Sequence, residues 1–153
     1  MIRWREAMSV DGGVIDDDHK HLIDIINHFE EIAADGLTRG EAGEVLSSLQ
    51  FYASTHFRRE ESLQKVSKYP HHEAHKQEHA NLEAALEKII AGLRDHDDRI
   101  EAAAAKEIGG LLRHWLLDHV LETDRKMRPY VDAFKERADA IGILKDIEYL
   151  NPK

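Results

Sequence analysis

The sequence predicts an all-α protein, an antiparallel up-down four-helix bundle with an additional C-terminal helix. Glycine, proline and capping residues divide its 153 residues into five segments of helical length. Apolar residues recur within them at steps of three and four, the period of a helix with one buried face. Strand-like alternation and internal repeats are absent from the sequence. A chain of this length suits one core, so we expect a single domain over residues 1–153, with the bundle at about 16–128 and the extension at about 129–150.

The first two helices are bounded by residues that favour caps and turns. Asp16 or Asp17 could cap the first helix, because a short carboxylate accepts hydrogen bonds from the free N–H groups of the first turn. Thr38 and Glu41 have the spacing of a capping box, which predicts the start of a second helix.

The remaining helices are separated by prolines and acidic residues. Pro70 favours the start of a third helix, which we expect to end within residues 92–98. Asp98 with Glu101 could cap the fourth. Pro129 indicates a break before the final amphipathic segment. Short connections between helices of this length favour the antiparallel bundle.

The balance of charges restricts the partners. The chain has 30 acidic against 21 basic residues and a net charge of −9, which argues against nucleic acid and against an anionic membrane surface as partners. No apolar run approaches the roughly 18 residues of a membrane span, and the amino-terminal segment carries charges where a signal peptide needs an apolar core. We therefore expect a cytoplasmic protein.

Histidines interrupt the apolar face of every bundle helix. The sequence has eleven histidines and no cysteine, and those on apolar faces are His19, His56, His75, His79 and His119. A single histidine in such a position is usually a hydrogen-bonded core residue. Leaving an imidazole buried without a partner costs about 1–3 kcal/mol, so several together would remove most of the roughly 5–15 kcal/mol that stabilises a domain. One metal centre with nitrogen and oxygen ligands would satisfy them all. The other histidines are expected on the solvated surface: His21, His28, His71, His72, His96 and His114.

The spacing of these residues favours chelation. His56 with Glu60, and His75 with His79, are four residues apart, so each pair lies on one helix face about 6 Å apart. Each pair can therefore point at one centre.

The carboxylate that accompanies His119 is left open by spacing. Glu122 is three residues further on and shares its face on a regular helix. Asp124 is five residues further on and would be rotated away by about 140°. Regular geometry alone selects Glu122.

Four segments together resemble the hemerythrin family, specifically its single-domain bacterial members: "IDDDHKHL", "HFRREESL", "YPHHEAHKQEH" and "HWLLDHVLETD". The resemblance covers about residues 4 to 130. It implies a four-helix bundle around a non-haem di-iron centre that binds dioxygen reversibly for storage, delivery or sensing. An oxygen-binding protein, not an enzyme, is therefore expected, with no catalytic residues; a protein partner is left open.

The resemblance also implies roles for particular residues. One iron would be held by His75, His79 and His119 and the other by His19 and His56, with Glu60, Asp124 and an oxo or hydroxo group as bridges. It thus selects Asp124 over Glu122, which requires a wider turn or an adapted side chain near the end of the fourth helix. An apolar oxygen pocket would comprise Leu22, Phe57, Trp115, Leu116 and Val120. Asp18 and Gln64 depart from the family, where glutamine and methionine are common at these positions.

A shorter pattern supports a different chemistry. The string "HKQEH" fits H-x-x-E-H, in which His75 and His79 would bind zinc and Glu78 would activate water for hydrolysis. This alternative leaves the other histidines of the apolar faces unexplained. A di-iron sensor of redox state or nitric oxide, and a purely structural bundle, are further alternatives.

Overall fold

A computed structural model describes residues 1–93 and 98–142 as a helical bundle. The α-helices are α1 (Val14–Ala34), α2 (Arg39–Val66), α3 (His72–Leu93), α4 (Ala102–Asp118) and α5 (Arg128–Ala140). A π-helical turn (His119–Thr123) and a 3-10 turn (Asp124–Met127) join α4 to α5. In the described residues the only β-type pairing is one bridge between Thr38 and Arg99, so the predicted all-α class is confirmed. His96 and residues 143–150 of the predicted C-terminal helix lie outside the described part.

Neighbouring bundle helices run antiparallel. Along the α1–α2 interface, His19 contacts His56 while His21 contacts Tyr52, so residue numbers rise in one helix as they fall in the other. Helix α1 also packs against α4, and α2 against α3. Among the described residues, no helix is long and apolar enough to cross a membrane.

The apolar core has two parts. The larger part fills the bundle and contains fully buried side chains from α1, α2 and α4, such as Phe29, Leu49 and Leu112. The smaller part lies where α5 packs on the bundle and is built by Val10, Ile15, Leu63, Tyr69, Met127 and Val131. The polar cluster described below is buried among these helices.

The amino-terminal end of α1 is capped differently from the prediction. Asp16 and Asp17 lie inside the first turn, because α1 begins at Val14. The carboxylate of Asp11 instead accepts hydrogen bonds from the main-chain N–H groups of Ile15 (3.2 Å) and Asp16 (3.1 Å). The prediction was wrong because a left-handed turn just before the helix folds the earlier aspartate back over its end.

The structure also tests the predicted caps of α2 and α4. The capping box of Thr38 and Glu41 is confirmed, with both reciprocal hydrogen bonds present. The predicted cap of α4 is wrong, because Glu101 occupies the N-cap position and its side chain makes no capping hydrogen bond. Asp98 is used elsewhere: its carbonyl oxygen accepts from the N–H of Arg39, 3.0 Å away, at the start of α2.

Candidate metal centre

Seven buried side chains with nitrogen or oxygen donors meet inside the bundle. None is more than 3% exposed, and they are His19 from α1, His56 and Glu60 from α2, His75 and His79 from α3, and His119 and Asp124 from the π turn and the residue after it. These are the seven residues that the family resemblance implied as ligands, and the structure brings all of them together. So many polar groups in an apolar interior need partners of matching chemistry.

The donor atoms form two overlapping groups. One contains Glu60, His75, His79, His119 and Asp124; the other contains His19, His56, Glu60 and Asp124. Within each group, one donor atom of every residue lies within 4.8 Å of all the others. The two carboxylates therefore belong to both groups, whereas each histidine belongs to one.

Glu60 directs one oxygen to each group. Its Oε2 lies 3.1 Å from Nε2 of His79 and 3.4 Å from Nε2 of His75. Its Oε1 lies 3.7 Å from Nε2 of His19 and 3.6 Å from Nε2 of His56. A carboxylate that spans two cations needs this division of its oxygens.

Asp124 also directs one oxygen to each group. Its Oδ1 lies 2.8 Å from Nε2 of His119 and 3.1 Å from Nε2 of His75. Its Oδ2 lies 3.1 Å from Nε2 of His19. Both carboxylates thus lie between the two sets of imidazoles.

The distances between imidazoles fit shared metal ions. The Nε2 atoms of His19 and His56 are 3.1 Å apart, and those of His79 and His119 are 3.0 Å apart. An imidazole nitrogen binds a metal such as zinc at about 2.0–2.1 Å, so two such nitrogens at a right angle stand about 3 Å apart. Imidazole and carboxylate together suit iron and other divalent transition metals.

Several of these nitrogen and oxygen atoms lack a hydrogen-bond partner. Within the described residues, His75 Nε2, Glu60 Oε1 and both carboxylate oxygens of Asp124 are buried without a hydrogen-bond partner. Their contacts to neighbouring donors are too long or too misaligned to be hydrogen bonds, which is expected where lone pairs point at common centres. The donor set therefore fits a pair of metal ions.

In the metal-free chain, protons balance the charge of this cluster. Burial by itself would lower the pKa of His119, but the negative charge of Asp124 beside it raises it to about 10. Burial likewise opposes the contacts with Asp124 and Glu60 that raise the pKa values of His19 and His75 to about 9. Burial would raise the pKa of Glu60, but the surrounding imidazoles hold it well below its usual range. Metal ions must displace these protons.

The π turn decides which acidic residue reaches the cluster. After α4, residues His119–Thr123 form a wider turn in which the main-chain N–H of Asp124 donates to the carbonyl oxygen of His119. A π turn bonds residue i to residue i+5, so Asp124 returns to the face of His119. Glu122, which regular helical spacing would have selected, is exposed.

Three further carboxylates hold the outer nitrogens of the cluster. The Nδ1 atoms of three histidines donate to them: His56 to Asp18 at 3.4 Å, His79 to Glu61 at 3.0 Å, and His119 to Glu78 at 2.9 Å. Sequence reasoning missed Glu61 altogether and gave no such contact to the other two. The sequence signal was limited to the position of each carboxylate next to a donor residue of its own helix. The contact with a histidine from another part of the bundle is seen only in the structure.

The position of Glu78 argues against the zinc-hydrolase pattern. Its Oε1 accepts from Nδ1 of His119 and from the hydroxyl of Thr123, both at 2.9 Å. It therefore lies on the outer side of the imidazoles, whereas the Nε2 atoms of His75 and His79 face inward to Glu60. A base that activates a metal-bound water would have to lie on the inner side.

The five residues predicted to form an apolar pocket all belong to the main core. Leu22, Phe57, Leu116 and Val120 are buried, and Trp115 is partly buried against them. The ring of Phe57 stacks on His79 with ring centroids 4.0 Å apart and planes 12° apart. The apolar cover is thus in direct contact with the donor cluster.

One of the remaining histidines is not on the solvated surface. His72 is half-buried, and its Nδ1 lies 2.9 Å from Oε1 of Gln64, whose Nε2 lies 3.3 Å from the sulfur of Met127. The expectation for His72 was wrong because Gln64 is fully buried and needs polar partners. The others that the structure describes are exposed, as expected: His21, His28, His71 and His114.

Comparisons with known proteins agree with this arrangement. The family model described as the hemerythrin HHE cation binding domain matches residues 13–131. A bacteriohemerythrin of Methylococcus capsulatus is 30% identical over 134 residues, which cover 87% of this chain and 98% of the relative. A bacteriohemerythrin of Pseudomonas aeruginosa is 31% identical over 134 residues, which cover 86% and 80%. The crystal structure of a wild-type hemerythrin matches with a TM-score of 0.71 at 26% identity, covering 86% of this chain and 98% of that one.

Proposed function

The chain belongs to the hemerythrin HHE cation-binding family, and from that premise we propose that it binds dioxygen reversibly at a pair of iron ions held by the seven buried donors. In this assignment one ion is held by His75, His79 and His119 and the other by His19 and His56. Glu60 and Asp124 would bridge the two ions, together with an oxo or hydroxo group. The whole chain acts as a single hemerythrin-like domain.

The observation that carries the proposal is the division of the two central carboxylates. Each directs one oxygen to the group of three histidines and the other to the group of two. A site for a single ion would need only one such group. This geometry, together with the family, supports two iron ions bridged by Glu60 and Asp124.

Two ferrous ions supply the two electrons that dioxygen takes up when it binds and returns when it leaves. The protein makes the two positions unequal, because five of the seven residues contribute to one group and four to the other. The position of His19 and His56 therefore has fewer protein ligands and more room for an external ligand. We place dioxygen there.

The apolar residues keep this position dry. The proposed pocket consists of Leu22, Phe57, Trp115, Leu116 and Val120. The ring centroid of Phe57 lies 5.7 Å from that of His56, so this apolar side chain would help to exclude water and the protons it carries from the two-histidine position. Without those protons, a bound dioxygen would leave as dioxygen and would return to the iron the electrons it had taken up. The chain therefore serves as a binding protein, not an enzyme, and storage, delivery and sensing would all use the same step.

Anaerobic purification followed by iron quantitation tests the proposal. We expect two iron ions per chain, a visible spectrum that appears on exposure to air, and loss of that spectrum when oxygen is removed. One zinc ion per chain, with no response to oxygen, would support the hydrolase alternative instead. If the folded chain takes up no stoichiometric metal, the result would support the alternative of a purely structural bundle.

A further inference from the structure

The three outer carboxylates are not equivalent. Glu61 and Glu78 contact histidines of the three-histidine group. Within the described residues, neither lies within 4.0 Å of a lysine or arginine side-chain nitrogen. Neither therefore forms an ion pair with a lysine or arginine of the described residues.

Asp18 differs because an arginine shares it. One oxygen of Asp18 lies 3.4 Å from Nδ1 of His56, and the other accepts from Nη1 of Arg59 at 2.5 Å. Both partners of this ion pair are largely shielded, with side-chain exposures of 18% for Asp18 and 28% for Arg59. The positive guanidinium therefore partly neutralises the carboxylate that accepts from His56.

A carboxylate on the outer N–H of an imidazole makes its inner nitrogen a stronger donor to a metal. A stronger donor stabilises the ferric ion more than the ferrous ion, because the ferric ion carries more charge. A cation beside that carboxylate weakens the effect, since the attraction between opposite charges is large where solvent is partly excluded.

We infer that these outer residues make the two iron positions electronically unequal. Glu61 and Glu78 stabilise ferric iron at the three-histidine position. The Asp18–Arg59 pair stabilises ferric iron less, so the two-histidine position favours ferrous iron. This inference rests on the proposed function. The positioning residues are then Asp18, Arg59, Glu61 and Glu78. They do not bind iron themselves and act on it through the histidine ligands. The Asp18–Arg59 pair then tunes the position at which an external ligand has room.

The sharpest test uses the two members of the ion pair. Asp18→Asn keeps the shape of the side chain but removes its charge, so the midpoint potential of the iron centre should rise. Arg59→Gln leaves Asp18 fully charged, so the potential should fall. A tenfold change in the ratio of ferric to ferrous affinity corresponds to about 59 mV for one electron, and we expect shifts of about that size in opposite directions.

A matched control separates this contact from a general effect of charge. Arg58 is the exposed neighbour of Arg59 on α2, and Arg58→Gln removes the same charge without removing the partner of Asp18. It should leave the potential nearly unchanged. In the double variant Asp18→Asn with Arg59→Gln, the arginine change should have a smaller effect than it has alone, because the residue through which it acts has lost its charge.

The other two carboxylates provide an independent test. Glu61→Gln and Glu78→Gln should each raise the potential, whereas Glu122→Gln, an exposed carboxylate in the π turn, should not. A second readout is the affinity of the metal-free protein for ferrous iron, measured without oxygen by competition with a chelator. Loss of an outer partner of a metal ligand typically weakens binding by about 10- to 100-fold, and we expect this for both variants.

The outcomes distinguish this inference from the proposed function. If the wild-type chain takes up no iron, the proposed function fails. If it takes up two irons, shifts of equal sign for Asp18→Asn and Arg59→Gln, or equal shifts for Arg58→Gln and Arg59→Gln, overturn the inference alone. Should Arg59→Gln fail to fold, unchanged potentials and unchanged ferrous affinities for Glu61→Gln and Glu78→Gln would still refute it.

Discussion

The main-chain N–H of Asp124 donates to the carbonyl oxygen of His119, five residues earlier in the chain. This one wide turn brings Oδ1 of Asp124 to 2.8 Å from Nε2 of His119 and leaves the intervening Glu122 exposed. A local departure from regular helical geometry thus decides which carboxylate enters the metal site. Wide turns of this kind are frequent at functional sites.

The π turn predicts unequal effects for the two acidic residues. Asp124→Ala should prevent assembly of the normal iron pair, because it removes a donor shared by both groups. Glu122→Ala should leave iron content near that of the wild type, since its side chain is solvated. Iron quantitation on protein reconstituted without oxygen checks both. Greater loss of iron from Glu122→Ala would mean that the helix is regular here.

Histidines from separate helices should each be required. His56→Ala and His79→Ala each remove one donor from a different group and leave a buried, incomplete set of ligands, so neither variant should hold two irons. His28→Ala, an exposed histidine on α1, is the matched control and should retain both. Retention of two irons by both buried-site variants would refute the assignment of the ligands.

Leu116 is expected to protect the reduced site. Leu116→Ala should retain iron but autoxidise faster than the wild type, because the smaller side chain admits water beside the external ligand. Leu112→Ala is the control, since Leu112 is a buried leucine one turn earlier on α4 and outside the proposed pocket. Each change should cost about 2–5 kcal/mol of stability.

Decay of the oxygenated spectrum at one pH and temperature measures the rate of autoxidation. If Leu116→Ala and Leu112→Ala decay equally fast while both are folded and loaded, Leu116 is ordinary core. In that case another residue protects the bound dioxygen.

The raised pKa values of the cluster predict how pH affects the metal-free chain. The pKa values of His19 and His75 are raised to about 9 and that of His119 to about 10, from the ordinary 6.5. Where a folded-state pKa is raised, the added stability is complete below the unfolded pKa and is lost as pH rises through the folded value. The temperature at the midpoint of thermal unfolding of metal-free protein should therefore decrease as the pH rises from 6.5 to about 10.

Iron-loaded protein should lack this decline, because metal replaces the protons. Loading at pH 7.5 should release protons, up to one from each of these three histidines, which an indicator dye in weak buffer can measure. Parallel pH profiles for metal-free and loaded protein, with no proton release, would contradict the prediction.

A residue with strained backbone follows α2. Lys68 has a φ of 56°, a left-handed conformation that costs an ordinary L-residue roughly 1–2 kcal/mol and glycine almost nothing. Lys68→Gly should therefore stabilise the protein, by up to about 1 kcal/mol once the greater freedom of the unfolded chain is included. Urea unfolding of metal-free protein measures this change.

Lys65→Gly is the control for that substitution, because Lys65 is exposed in the last turn of α2, where the backbone is helical. It should destabilise the protein by about 1 kcal/mol. Equal effects of the two glycines would show that the turn at Lys68 is not strained.

Much of this protein could be predicted from its sequence. The helical period of its apolar residues indicated the bundle, and Thr38 with Glu41 indicated the start of α2, because a capping box depends only on residues three apart. Histidines on apolar faces stood out for a similar reason, since burying them without partners costs too much free energy. Their number and spacing were sufficient to nominate a metal site.

Other features could not be predicted from local patterns. The cap of α1 was assigned to the wrong aspartate because the fold of the preceding loop brings Asp11 to the helix end. The outer carboxylates were missed because Asp18, Glu61 and Glu78 each contact a histidine on a neighbouring helix. Such contacts depend on how adjacent helices are aligned along their axes, which no single helix specifies.

The sequence by itself thus determined which helices form and which polar residues they must bury, because periodicity and the cost of burying polar groups operate within one segment. Spacing favoured Glu122 and the family resemblance favoured Asp124, and the structure turns Asp124 inward through the local π turn. The tertiary structure alone showed that the two carboxylates divide their oxygens between the histidine groups. It also showed that Arg59 shares Asp18 with His56. These relationships arise where separate segments meet, and the distances between segments are set by the packing of the whole bundle.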